Sequence, residues 1–275
     1  MAITAADVNK LRKMTGAGMM DCKKALTEAE GDFDKAIEII RKKGQAIANK
    51  RADREASEGA VLAKVAEDGK SGALVALNCE TDFVAKNEGF VELTGKILDL
   101  ALTNKPANLD GLLNLELDGK SVKDVITEQI GIIGEKLELS CFESISAESV
   151  TAYIHPGNKL ATLVGLNQTV ADAQVGKDVA MQVAAMNPVA IDSSSVPQDV
   201  IDKELEIGRD MARNEGKPEA MLDKIAQGRL NKFFKENTLL DQAFVKDSKM
   251  SIKQYLESAS KGLTVTGFKR YTLNV

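Results

Sequence analysis

Ala60-Val-Leu-Ala-Lys-Val-Ala66 and Ala73-Leu-Val-Ala-Leu-Asn-Cys79 flank the polar segment Glu67-Asp-Gly-Lys-Ser-Gly72. Two apolar runs of strand length around a glycine-containing turn read as a β-hairpin. The pattern returns downstream, where Ser149-Val-Thr-Ala-Tyr-Ile-His155 and Leu160-Ala-Thr-Leu-Val-Gly-Leu166 flank Pro156-Gly-Asn-Lys159. Both second runs continue into a similar signal, Leu77-Asn-Cys-Glu-Thr81 and Leu166-Asn-Gln-Thr169. A helix-periodic segment follows each: Phe90, Leu93, Ile97, Leu100 and Ala101 after the first, and Val175, Val179, Val183 and Met186 after the second. This recurrence predicts an α+β protein whose core is two related subdomains, each an antiparallel sheet plus helix.

Working outward, the first 45 residues predict a three-helix module. Thr4 and Asp7 suit a capping box, Val8, Leu11 and Met14 share a helical face, and Thr15-Gly-Ala-Gly18 breaks the run. Met19, Met20, Cys22, Ala25 and Leu26 form a second helix that Gly31 stops. Asp32 caps a third, with Phe33, Ala36, Ile37 and Ile40 inward and Gly44 just past its end. Residues 46–58 are polar and charged and read as a linker. The core subdomains then occupy 59–140 and 141–196. Within the first, Lys105–Lys120 reads as loop, and Ser121 with Asp124 opens a helix carrying Val122, Val125, Ile126, Ile130 and Leu137. Residues 197–237 predict a projecting antiparallel helical hairpin, with Val200, Leu205, Ile207 and Met211 facing Met221, Leu222, Ile225, Leu230 and Phe233. Residues 238–275 return to the second subdomain and form a short C-terminal module, a helix near Ser251–Ala259 and then a strand from Leu263 to Leu273.

Composition narrows the chemistry. The chain has 275 residues, more than one typical domain of roughly 100–200, and 44% of them are apolar, enough for a substantial core. No apolar stretch approaches the roughly 18 residues that would span a bilayer, and Met1–Asp7 lacks the basic-then-apolar order of a secretory signal. Cys22, Cys79 and Cys141 are odd in number and far apart, which fits a reducing cytoplasm and not a disulfide framework. With His155 the single histidine and no CxxC pair, neither a zinc site nor histidine-based acid–base catalysis is expected. The net charge of −5 is uneven: residues 1–54 hold 12 basic and 8 acidic side chains, so the acidity lies in the rest. Mild local basicity, no tryptophan and 3 tyrosines provide little for gripping nucleic acid, so direct RNA binding is the weaker alternative.

Several motifs resemble chemistry without supplying it. Gly69-Lys70-Ser71 and Gly119-Lys120-Ser121 end like a phosphate-binding loop, but Lys64 and Asn114 stand where that loop needs its first glycine. Gly16-Ala-Gly18 lacks the third glycine of a dinucleotide fingerprint and follows a helix. Cys79 as an enzymatic nucleophile has no histidine near it in sequence.

One stretch is left, Asn78-Cys-Glu-Thr-Asp-Phe-Val-Ala-Lys-Asn87, where a buried strand gives way to a helix within a few residues. Thr81 or Asp82 suits a helix N-cap. Phe83 then has two readings: a staple folded back on its own helix, or a wedge presented outward to a partner. Burying a phenylalanine at a partner is worth about 1.5–3 kcal/mol, enough to separate marginally packed elements.

Asn78–Lys86 closely resembles a signature of the bacterial translation elongation factor Ts family. So does Leu11-Arg-Lys-Met-Thr-Gly-Ala-Gly-Met-Met-Asp-Cys-Lys-Lys-Ala-Leu26. The similarity continues through Tyr153-Ile-His155, Glu215-Gly-Lys-Pro218, Gly228-Arg-Leu230 and Gly267-Phe268, in order along the chain. The resemblance implies a ubiquitin-associated-like (UBA-like) first module and guanine-nucleotide exchange on the GTPase elongation factor Tu, with no covalent chemistry and no cofactor or bound nucleotide of the factor's own. It implies that Thr81, Asp82, Phe83 and Val84 form a wedge that disturbs the partner's magnesium–phosphate site. It further implies that Arg12, Met19 and Met20 contact the GTPase domain. For the two methionines, bundle core is the competing reading. His155 is implied to touch the partner near the same helices, although Pro156-Gly-Asn-Lys-Leu-Ala161 departs from the family's glycine- and arginine-containing pattern. Whether the factor works as a homodimer or in a 2:2 complex with elongation factor Tu stays open, as does the role of the hairpin.

Overall fold

A computed structural model describes residues 3–273. The fold mixes helices and sheets, as the α+β expectation requires. The chain divides into two compact units. One holds the chain up to Leu62 together with Val75–Phe142, and the other holds Ala63–Leu74 and Glu143–Tyr271.

The first unit begins with helices α1 (Ala5–Thr15), α2 (Met19–Glu28) and α3 (Phe33–Arg51). Thr4 and Asp7 form the expected capping box: the Thr4 hydroxyl accepts from the Asp7 amide at 3.2 Å and the Asp7 carboxylate accepts from the Thr4 amide at 3.0 Å. Val8, Leu11, Ala17, Cys22, Ala25, Leu26, Ala29 and Ala36 make the bundle core. Helix α3 does not stop at Gly44 but continues to Arg51. Gly44 serves a close helix crossing instead: a Cβ placed on Gly131, in α7 (Val122–Ile133), would sit 2.7 Å from the Gly44 Cα. A glycine read as a stop signal is therefore a contact point.

Strands β1 (Glu58–Val65) and β2 (Ser71–Cys79) form the predicted hairpin, and β5 (Leu137–Ser146) completes a sheet of order β1-β2-β5. Between them lie α4 (Asp82–Ala85), α5 (Glu88–Asn104), α6 (Leu109–Leu113), the short ladder of β3 (Glu116–Leu117) with β4 (Lys120–Ser121), and α7. The expected loop Lys105–Lys120 thus contains a turn of helix, capped by Asn108, whose side chain accepts from the Gly111 amide at 2.8 Å. Gly134, left-handed at φ 79°, ends α7, so Leu137 belongs to β5 and not to the helix. Leu137, Leu139 and Cys141 are buried along β5 in alternation with the more exposed Glu138, Ser140 and Phe142.

In the second unit, β6 (Ser149–Ile154) pairs antiparallel with β7 (Leu160–Leu166), in register from Ser149 opposite Leu166 to Ile154 opposite Ala161. Strand β10 (Val265–Thr272) flanks β7 on its other side. Helix α8 (Ala173–Met186) and α11 (Ile252–Ala259) cover a core that includes Val164, Leu166, Val179, Val183, Leu239, Ile252 and Leu256. Two short strands absent from the sequence reading, β8 (Ala243–Phe244) and β9 (Asp247–Ser251), pair beside it. Helices α9 (Gln198–Asn214) and α10 (Leu222–Asn237) form the antiparallel hairpin. Its seam matches the expected large apolar one only in part. Gly208 lies against Ala226, where an added Cβ would come within 3.0 Å of the Ala226 Cα, while Ile207, Met211 and Met221 stay exposed. Small residues let the backbones approach closely there, while Leu222 and Leu230 of the expected set are buried along α10.

Candidate partner-docking site

Strand β2 is buried along nearly its whole length and ends at Cys79. Two residues later α4 begins, and it lasts four residues. Its brevity follows from two caps in quick succession. The Thr81 hydroxyl accepts from the Val84 amide at 3.4 Å, and the Asn87 side chain accepts from the amides of Gly89 at 3.0 Å and Phe90 at 3.4 Å to start α5. On this single turn Ala85 faces the interior, and Phe83 points away, 83% exposed. The ring is not folded back onto its own helix. An unpacked phenylalanine on an ordered turn forgoes about 1.5–3 kcal/mol of burial.

The turn is held from below by charge. Both oxygens of the Glu135 carboxylate accept from Thr81: Oε2 from its amide at 3.0 Å and Oε1 from its hydroxyl at 2.7 Å. Beside it, Glu80 Oε1 accepts from the Lys136 amide at 2.6 Å and from Arg51 Nη1 at 2.7 Å, and Oε2 accepts from Arg54 Nη1 at 3.1 Å. Burial opposes the Glu80 charge, its side chain being 14% exposed, but the Lys136 amide and the two guanidinium groups outweigh it and bring the carboxyl down to about 2. Asp82 opens α4 and its carboxylate accepts from Lys86 Nζ at 2.6 Å, four residues on.

Cys79 donates its S–H to the Thr81 carbonyl at 3.2 Å. Burial, reinforced by the Glu135 charge, pushes this thiol up to about 12. It is protonated at neutral pH and is no nucleophile. Its place is structural, beneath the turn.

The other residues singled out in the sequence lie on two different units. Arg12 is exposed on α1, and Met19 and Met20, at the start of α2, are 53% and 65% exposed. The methionines therefore stand outside the bundle core, whose α2 members are Cys22, Ala25 and Leu26. His155 belongs to the second unit, just past β6. It is exposed, its amide donates to the Leu160 carbonyl at 2.8 Å, and its Nδ1 shares a 2.9 Å hydrogen bond with the Tyr153 hydroxyl.

Sequence reasoning missed the base of the turn: Arg51, Arg54, Glu80, Glu135 and Lys136. Glu80 stood within the quoted motif, but its partners are 26 or more residues away along the chain and carry no local signal. Among the described residues, no three His, Cys, Asp or Glu side chains converge as a metal site, and no helix is long and apolar enough to cross a membrane.

The site thus combines an exposed aromatic on an ionically clamped strand-to-helix turn with exposed methionines on the three-helix module, the features of a candidate macromolecular docking surface. The family follows from comparison. Residues 80–275 match the model of the family described as Elongation factor TS, and the chain belongs to that family. It is 59% identical over 275 residues to elongation factor Ts of Porphyromonas gingivalis, covering 100% of this chain and 99% of that one. It is 58% identical over 272 residues to elongation factor Ts of Amoebophilus asiaticus, with 98% of each covered. Against elongation factor Ts of Bacteroides fragilis the identity is 43% over 330 residues, with 99% of each covered.

Proposed function

We propose that this protein is a guanine-nucleotide exchange factor for the translation GTPase elongation factor Tu, acting in the cytoplasm. The observation that carries the reading is the outward Phe83 ring on a turn that its own molecule holds fixed. Thr81, Asp82, Phe83 and Val84 form the wedge. Arg12, Met19 and Met20 contact the GTPase domain from the first module, and His155 makes a further contact from the second core subdomain. We read residues 1–45 as a UBA-like module, 46–58 as a linker, 59–140 and 141–196 with 238–275 as two related core subdomains, and 197–237 as a dimerisation-type hairpin.

The mechanism is thermodynamic linkage. A factor that binds the GTPase and weakens its hold on GDP is itself weakened by GDP, by the same ratio. Magnesium on the partner neutralises the phosphates and anchors them. An aromatic side chain driven between the partner's helices displaces what organises that ion, and burial of the ring supplies about 1.5–3 kcal/mol toward the change. Pre-ordering the turn matters, because a side chain that must first be immobilised gives back about 0.5–1.5 kcal/mol on docking. GDP leaves, GTP binds, and GTP in turn expels the factor. No bond is made or broken by the factor, and it carries no nucleotide or cofactor.

Release of a fluorescent GDP from elongation factor Tu, at fixed magnesium and with this protein added, tests the reading. A rate that rises with factor concentration and saturates is expected. A rate indifferent to the protein contradicts the assignment.

A further inference from the structure

We propose that Glu135 is a positioning residue for nucleotide exchange, acting through Thr81 to aim Phe83, with Glu80 as its counterpart on the other side of the contact. The proposal rests on the exchange-factor reading above and deepens it by naming what holds the wedge.

Two dipeptides far apart in sequence, Glu80-Thr81 and Glu135-Lys136, are joined by crossed bonds. The Glu135 carboxylate accepts from the Thr81 amide, and the Glu80 carboxylate accepts from the Lys136 amide. Each side chain thereby fixes the backbone on which the other's partner stands. The Thr81 hydroxyl adds direction. It donates to Glu135 Oε1 at 2.7 Å, which leaves its lone pairs turned to the Val84 amide at 3.4 Å, the amide immediately after Phe83. The chain of bonds thus runs from Glu135 through one hydroxyl to the first turn of α4. Both Glu135 oxygens face one residue, and a neutral amide at 135 does not reproduce this: with the Gln oxygen on the Thr81 amide, its NH2 can only donate to the Thr81 hydroxyl, whose own proton then has no acceptor at 135 and which must turn from its present geometry.

Glu80 is anchored in addition by Arg51, at the end of α3, and by Arg54. The base of the wedge is therefore pinned to the last turn of the first module's third helix. Partly buried carboxylates that accept two or three charge-assisted bonds are costly to disturb on one side only, which is what a positioning element requires.

The test compares Glu135→Gln, Thr81→Val, the double variant and Phe83→Ala with the wild-type protein, in fluorescent GDP release from elongation factor Tu over a range of factor concentrations. Ile97→Val, a core trimming in α5, serves as a control that lowers stability away from the turn. Glu135→Gln is expected to lower the saturating release rate by roughly tenfold, with a much smaller change in the half-saturating concentration. Thr81→Val should do the same, and the double variant should be no worse than either alone. Ile97→Val should leave both parameters unmoved. In the free protein, hydrogen exchange should show the Thr81 amide protected in the wild type and less protected in Glu135→Gln, where a neutral oxygen replaces the charged one, a readout that does not depend on the partner.

If Phe83→Ala slows release and Glu135→Gln does not, the positioning role is overturned and the wedge stands. If Phe83→Ala and Glu135→Gln both match the wild type, the wedge reading falls and this inference with it. An unprotected Thr81 amide in the folded wild type, or additive losses in the double variant, likewise overturns the proposal. Should Glu135→Gln fail to fold, Thr81→Val carries the same comparison.

Discussion

The two core hairpins end alike in sequence, Leu77-Asn-Cys-Glu-Thr81 and Leu166-Asn-Gln-Thr169, and are finished differently. The first exit is held by carboxylates and guanidinium groups, through Glu80, Glu135, Arg51 and Arg54, and turns an aromatic outward. The second is held by neutral amides. Asn167 donates to the Gly262 carbonyl at 3.0 Å and accepts from the Thr264 amide at 2.8 Å, and Gln168 donates to the Lys261 carbonyl at 3.2 Å. There the next apolar side chain, Val170, packs inward on the unit's own core. One strand end is closed off, and the other is kept open and stiff. Neutral amide pairing is sufficient to close a turn. The turn that carries an exposed ring, which receives nothing from the ring's burial, is held by stronger charge-assisted bonds instead.

The largest effect is expected at Phe83 itself. Phe83→Ala should lower the saturating rate of GDP release by tenfold or more, about 1.4 kcal/mol in the barrier, while the midpoint of thermal unfolding stays within a degree or two, about the noise of a surface change. The matching Val170→Ala change should do the reverse, costing about 1 kcal/mol of stability and leaving exchange alone. If both changes act on stability only, the contrast between the two strand ends is one of packing and not of use.

Acid should separate the two exits next. Glu80 is held at about 2 in the folded protein against an ordinary 4.5, so its contribution is complete above about 4.5 and is lost as the pH falls toward 2. Urea unfolding at pH 7 and pH 3 should therefore show a loss that Glu80→Gln reduces by roughly 1 kcal/mol, since pH 3 lies within the titration and Arg54 is largely exposed. Asn167→Ala should cost about 1–2 kcal/mol at either pH, with no change in that slope. Equal pH slopes for wild type and Glu80→Gln would remove the ionic side of the comparison.

The smallest effect is spectroscopic. The chain has no tryptophan, so Phe83→Trp introduces a single reporter. Its emission should be that of a solvated indole, open to iodide, and should shift to the blue when elongation factor Tu is added. Trp placed at Val170 should already be shielded in the free protein.

Local chemistry made much of this legible in advance. The capping box of Thr4 and Asp7, the Asp32 cap, both β-hairpins and the strand-to-helix turn at Thr81 depend on residues within a few positions of one another. What was hidden depends on distance along the chain. Gly44 looked like a helix stop because its partner, Gly131, is 87 positions away. β5 was hidden because its inward Leu137, Leu139 and Cys141 alternate with Glu138, Ser140 and Phe142, and Leu137 also fits the period of the helix before it. For Met19 and Met20 helical spacing alone could not choose between core and surface; alanines and Cys22 fill the small bundle and leave no room for them. The clamp beneath Phe83 was out of reach for the same reason as Gly44: its carboxylates and their partners meet only once the sheet and α7 are in place.

The central claim is that an outward ring on a fixed turn loosens a nucleotide held by another protein. Its most direct test is the rate of GDP loss from elongation factor Tu at saturating concentrations of wild-type protein and of Phe83→Ala. The account predicts that the variant still binds but releases GDP at least about tenfold more slowly. Equal saturating rates for the two proteins would contradict it.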